Sequence, residues 1–119
     1  MRIDAVGKHS KGVAGLPESV LKSLRRSGEN IRIARKKRRM PLKEMSNRTM
    51  VSIPTLRKVE SGDPTVSMGI FLQVLWVLQL HSDFESITDP DKDVIGKRLE
   101  EKRLPKRVRQ TKTKKDLDF

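Results

Sequence analysis

Residues 41–62 read PLKEMSNRTMVSIPTLRKVESG, and the side chains there able to engage a ligand are Ser52, Arg57 and Lys58, with Ile53 and Pro54 beside the serine. A hydroxyl and two adjacent cations on one short segment do non-covalent chemistry: they donate to phosphate oxygens or to base edges, while Ile53 can touch a thymine methyl. Four further cations, KKRR at residues 36–39, stand just before this segment, beside the turn leading into it. We read this run, from Lys36 through Arg38 and Arg39, as a phosphate-binding edge, in preference to an import signal or solubilising charge. Bond-making chemistry has little to draw on. There is no cysteine, and His9 and His81 have no carboxylate cluster at ligand spacing, so no metal site is expected. No Gly-rich phosphate loop, Ser/His/Asp pattern or isolated carboxylate pair occurs, and Glu44, Glu60 and Glu85 read as helix-surface or structural residues. Neither an enzyme nor a cofactor is expected.

The same segment must fold so that those side chains face outward. Met45, Thr49, Val51, Leu56 and Val59 fall where two short helices packed at a steep angle need inward side chains, with small Ser46 at their closest approach. Ser52 suits an N-cap, Pro54 a first turn and Gly62 a left-handed helix end. If Leu56 and Val59 point inward, Pro54, Arg57, Lys58 and Ser61 point outward. This is the pattern of a helix-turn-helix, whose second helix lies in the DNA major groove.

Around it the spacing predicts more helix. Pro17 opens a stretch with Val20, Leu21 and Leu24 on one face, which Ser27-Gly28 is expected to break or weaken. A second helix follows over 29–38 with Ile31, Ala34 and Ile33 inward, and Met40-Pro41 ends it. Asp63-Pro64-Thr65 is a turn, and Thr65 or Ser67 can cap a helix running to Leu80. A turn at Asp89-Pro90 and a short helix over 92–102, with Val94, Ile95 and Leu99 apolar, come next. After Pro105 the apolar content is too low to fold alone. The organisation expected is a flexible segment 1–16, a helix-turn-helix domain 17–80, a linker and short helix 81–104, and a basic disordered tail 105–119. The fold class is all-α, a compact bundle of four to five helices.

In GIFLQVLWVLQL, Phe71, Val74, Leu75 and Leu78 share a face suited to the core. Gly69, Gln73, Trp76, Val77 and Leu80 form the opposite face, and a helix apolar nearly all round is buried on both sides. A homodimer interface anchored by Trp76 is expected there, in preference to cover by a terminal helix.

Composition fits a polyanionic partner. Lys and Arg number 27 against 15 acids, a net charge of +12. Such an excess gains affinity by releasing condensed counterions from phosphates. A membrane is the weaker alternative: MRIDAVGKHS has no apolar run, and the apolar stretch 66–80 is 15 residues long and holds Gln73 and Gln79. A span needs roughly 20 residues. The lack of cysteine suits a reducing compartment.

ARKKRRMPLKEMS, VSIPTLRKVESG and DPTVS before an apolar helix resemble the Cro/CI (Xre-type) helix-turn-helix family over residues 29–80. Within it, VSIPTLRKVESGDPTVSMGIFLQVLWVLQL is most similar to HipB-like antitoxins. The resemblance implies a lambda-repressor-like fold and a homodimer on a palindromic double-stranded DNA operator. It also implies repression of its own operon, a HipA-like kinase toxin as partner, and a bacterial cytoplasmic, nucleoid-associated location. It implies that Arg35 and Glu60 pair between the first helix and the end of the recognition helix, and that Ser52, Ile53, Pro54, Arg57 and Lys58 face DNA. Three positions depart from the pattern. Met50 stands for the turn glycine. Leu42 stands for a phosphate-bonding glutamine, where Lys43 can substitute. Ile53 and Pro54 replace polar base readers. A stand-alone phage-type repressor is one alternative, and an RNA-binding or ribosome-associated protein another; the few aromatics disfavour base stacking.

Overall fold

The computed structural model describes residues 11–104, and these are all-helical, without strands. Two units follow one another, divided between Ser82 and Asp83. The first carries α1 (Glu18–Lys37), α2 (Leu42–Thr49), α3 (Ile53–Ser61) and α4 (Met68–Val77). Residues 11–14 of the expected flexible segment are helical; residues 1–10 and the tail from 105 lie outside the described residues.

Each helix start follows from its sequence. Pro17 and Pro41 precede α1 and α2 in extended conformation, and the Ser67 hydroxyl accepts from the Ile70 N–H at 3.1 Å to cap α4. Between α3 and α4 the Asp63 carboxylate accepts from the Thr65 N–H at 2.8 Å and from its hydroxyl at 2.6 Å. Those bonds, with Lys58 nearby, hold the Asp63 carboxyl below the usual aspartate range against a small opposing effect of burial.

The core of this unit comprises Ile31, Met40, Met45, Val51, Leu56, Val59, Val74 and Leu78, all buried. Ala34, Leu42, Val66, Ile70, Phe71, Leu75 and Val77 pack against it. A domain of this size buries only roughly 60–65 % of the surface its unfolded chain exposes, so each of these contacts matters to its stability.

Three expectations are corrected. First, α1 is one continuous helix of 20 residues through Gly28, where a break was expected. Gly28 is buried, and a Cβ there would lie 2.6 Å from the carbonyl oxygens of Val59 and Glu60. The glycine lets the end of α3 come against α1. Gly62 serves the same crossing from the other side: φ is +77°, and a Cβ would meet the Arg25 backbone at 2.6 Å. Second, Ile33 is 42 % exposed and not inward, because Ile31 and Arg35 define the buried stripe of the continuous helix. Third, α4 ends at Val77, before the expected Leu80. Left-handed Arg39 (φ 52°) and Gln79 (φ 61°) turn the chain after α1 and α4. The Met40 N–H then donates to the Arg35 carbonyl at 3.2 Å, and the Leu80 N–H to that of Leu75 at 2.8 Å.

The second unit holds short 3₁₀ turns at His81–Asp83 (its last residue only), Glu85–Thr88 and Pro90–Lys92, then α5 (Val94–Arg103). Asp93 caps α5, its carboxylate accepting from the Gly96 N–H at 2.9 Å. Val94, Ile95 and Leu99 are exposed.

Candidate nucleic-acid interface

Residues 50–52 join α2 to α3, and side chains close the turn. Thr49 donates to the Met45 carbonyl at 2.8 Å and accepts from the Val51 N–H at 3.2 Å. Ser46 donates to the Val51 carbonyl at 2.6 Å. Met50 adopts the left-handed conformation (φ 61°, ψ 30°) in place of a glycine, with its side chain 88 % exposed. That backbone costs a non-glycine residue about 1–2 kcal/mol, so the side-chain bonds flanking it hold a strained turn.

Ser52 starts α3. Its oxygen accepts from the Thr55 N–H at 3.3 Å, and its hydroxyl donates to Thr55 Oγ1 at 3.0 Å. The hydroxyl is thus occupied within the helix start. Leu56 and Val59 are buried, and Pro54, Arg57 and Lys58 are exposed on the outer side, with Ile53 half-buried. Lys43 is exposed in the first turn of α2, whereas Leu42 packs against the core.

The end of α3 is tied to α1 by charge. Arg35 Nε donates to Glu60 Oε2 at 2.6 Å and a terminal nitrogen donates to Oε1 at 3.1 Å, a two-pronged pair. The other terminal nitrogen donates to the Met40 carbonyl at 2.9 Å. These side chains are only 9 % and 11 % exposed, so the desolvated charges are met by geometry and hydrogen bonds.

Arg38 has a different setting from the phosphate edge expected of it. Its guanidinium donates to the Ala34 carbonyl at 2.8 Å and to the Leu78 carbonyl at 3.0 Å, fastening the end of α4 to α1. Arg39 is exposed in the left-handed turn. On α4, Gly69, Trp76 and Leu80 are exposed, Gln73 is half-buried, and Val77 packs against the core. The open apolar surface there is therefore Trp76 and Leu80 with Met68.

Two features escaped the sequence reading. Arg32 joins Lys36, a member of the expected phosphate-binding run, and Arg57 of α3 in lining an open depression of about 410 Å³ beside the Arg35–Glu60 pair. The four-residue spacing of Arg32 and Lys36 is a visible signal that they share a face, but nothing local brings Arg57 to it. Glu44 and Arg48 form an ion pair at 2.7 Å on α2. Among the described residues no group of His, Cys, Asp or Glu is placed to hold a metal ion, and no helix is long and apolar enough to cross a membrane.

No protein-family description, curated protein or solved structure matches the chain.

Proposed function

We propose that the chain is a sequence-specific DNA-binding transcriptional regulator in which α2 and α3 act as a helix-turn-helix of lambda-repressor-like type. The observation that carries this reading is the presentation of α3. One side is buried through Leu56 and Val59, its end is fastened through Glu60 to Arg35, and Arg57 and Lys58 stand exposed on the other. A short helix held this rigidly can enter a major groove with little ordering cost, and the +12 charge supplies attraction to the phosphates.

Two chains are proposed to pair through the open surface of α4, with Trp76 as anchor, and to read a palindrome whose half-sites lie about one helical turn apart. The narrower reading, an antitoxin that represses its own operon and binds a HipA-like kinase toxin, rests on the resemblance alone. No metal, cofactor or catalytic role enters this account.

The test is selection of duplexes from a random pool by the full chain, with random RNA as the parallel pool. Enrichment of a two-fold symmetric duplex sequence is the expected result. Enrichment of RNA alone, or of no sequence, contradicts the reading. Recovery of a kinase-like protein with the chain from its native cell would support the antitoxin role.

A further inference from the structure

The depression between α1 and α3 concentrates charge in a way the recognition helix alone does not. Its lining holds four cations, Arg32, Arg35, Lys36 and Arg57, against a single carboxylate, Glu60. Both Glu60 oxygens are already engaged by Arg35, at 2.6 and 3.1 Å. The carboxylate is therefore answered from within, and Arg32, Lys36 and Arg57 are left in excess. Arg32 has one other neighbour of opposite sign, Glu29 at 3.4 Å, in an exposed pair of the kind worth little. Leu42 supplies an apolar wall to the depression.

We propose that this depression seats one phosphodiester of the DNA backbone, held by Arg32 and Lys36 of α1 together with Arg57 of α3. The proposal rests on the DNA-binding reading and deepens it by dividing the labour on α3. Arg57 belongs to the phosphate seat and positions the helix, while Lys58, outside the depression, is left to read bases. Two walls from different helices fix the angle at which α3 meets the duplex, because the seat and the helix face must be satisfied together. The cations are exposed and the depression is open to solvent, which suits a charged, well-hydrated oxygen cluster better than an apolar ligand.

The experiment measures affinity of the full chain for its selected duplex and for a scrambled one, over a range of salt. Because three cations share one phosphate, the combined variant Arg32→Ala, Lys36→Ala, Arg57→Ala should lower the slope of log K against log[salt] by about one, the value for one phosphate contact. Affinity should fall by a similar factor for both duplexes, and Lys58→Ala should instead reduce the preference for the selected one. A selected duplex carrying a single neutral methylphosphonate at the seated position should bind the wild-type and combined-variant chains with equal affinity. An unchanged slope, a fall of two to three, a loss confined to the selected duplex, or no methylphosphonate position that equalises the two chains would overturn the seat. If the unaltered chain binds no duplex at all, the DNA-binding reading fails and the seat fails with it. If the combined variant is unfolded by circular dichroism, Arg32→Gln, Lys36→Gln, Arg57→Gln, which removes the same charges while keeping longer side-chain stems, decides with the methylphosphonate series on the same criteria.

Discussion

Arg35 sits among core side chains, and each of its three nitrogens has an acceptor, two on Glu60 and one on the Met40 carbonyl. Removing it strands the Glu60 carboxylate, so Arg35→Ala should cost about 3–5 kcal/mol. Lys37→Ala, in the exposed run at the end of the same helix, should leave the melting temperature nearly unchanged. Equal shifts in thermal melts would show that the pair does not hold α3 to α1. Arg38 is no neutral comparison, since its guanidinium bonds the Leu78 carbonyl. Gly28 makes a second test at this scale. In an exposed helix interior Gly→Ala stabilises by about 1 kcal/mol, but here the added Cβ meets two backbone carbonyls at 2.6 Å. Gly28→Ala should therefore destabilise, by roughly 1–3 kcal/mol in denaturant unfolding, and a stabilised variant would contradict the close crossing of α1 and α3. The residue-level pattern was unevenly legible. Inward Met45, Leu56 and Val59 follow from spacing, while the pairing of Arg35 with Glu60 is 25 residues apart and came from resemblance, not from periodicity. Gly28 read as a breaker because its reason is tertiary: the neighbour that requires it comes from α3.

Short helices are legible when their ends carry side-chain signals. Ser52, Gly62 and Ser67 mark three such ends, at the start and stop of α3 and the start of α4. The end of α4 was misplaced because left-handed Gln79 carries no signature of its own. At Met50 the same conformation has a testable consequence. Its side chain is exposed and contributes little packing, so Met50→Gly should relieve strain and stabilise by about 1 kcal/mol, after allowing for the added freedom of the unfolded glycine. A lower melting temperature for that variant would show that the turn is not strained. The connection before α4 depends on pH. The folded Asp63 carboxyl titrates below its unfolded value, so its contribution is fully present above the unfolded value and is lost as pH falls through the lowered one. The stability difference between wild type and Asp63→Ala should therefore be constant near neutrality and shrink only in that acid window; a difference that shrinks on raising pH instead would contradict the turn geometry.

For the whole molecule, two surfaces remain to be matched with partners: the basic side of α3 with its depression, and the apolar side of α4. Trp76 is 55 % exposed, so Trp76→Glu should leave the fold intact while placing a charge in the proposed contact. Sedimentation should then move from dimer to monomer; a variant that stays dimeric contradicts the α4 assignment. Charge and composition point to a polyanionic partner already in the sequence, but which cations share a surface depends on the crossing of α1 with α3. Net charge alone would also draw the chain to any duplex, and separating that attraction from docking is the direct test. Arg57→Glu with Lys58→Glu changes the charge by the same amount as Lys97→Glu with Arg98→Glu on α5, whose side chains are also exposed. Affinity for the selected duplex, measured by fluorescence anisotropy at one salt concentration, should collapse for the α3 pair and fall only modestly, through long-range attraction, for the α5 pair. Equal losses from the two reversals would contradict the claim that α3 is the DNA-binding surface.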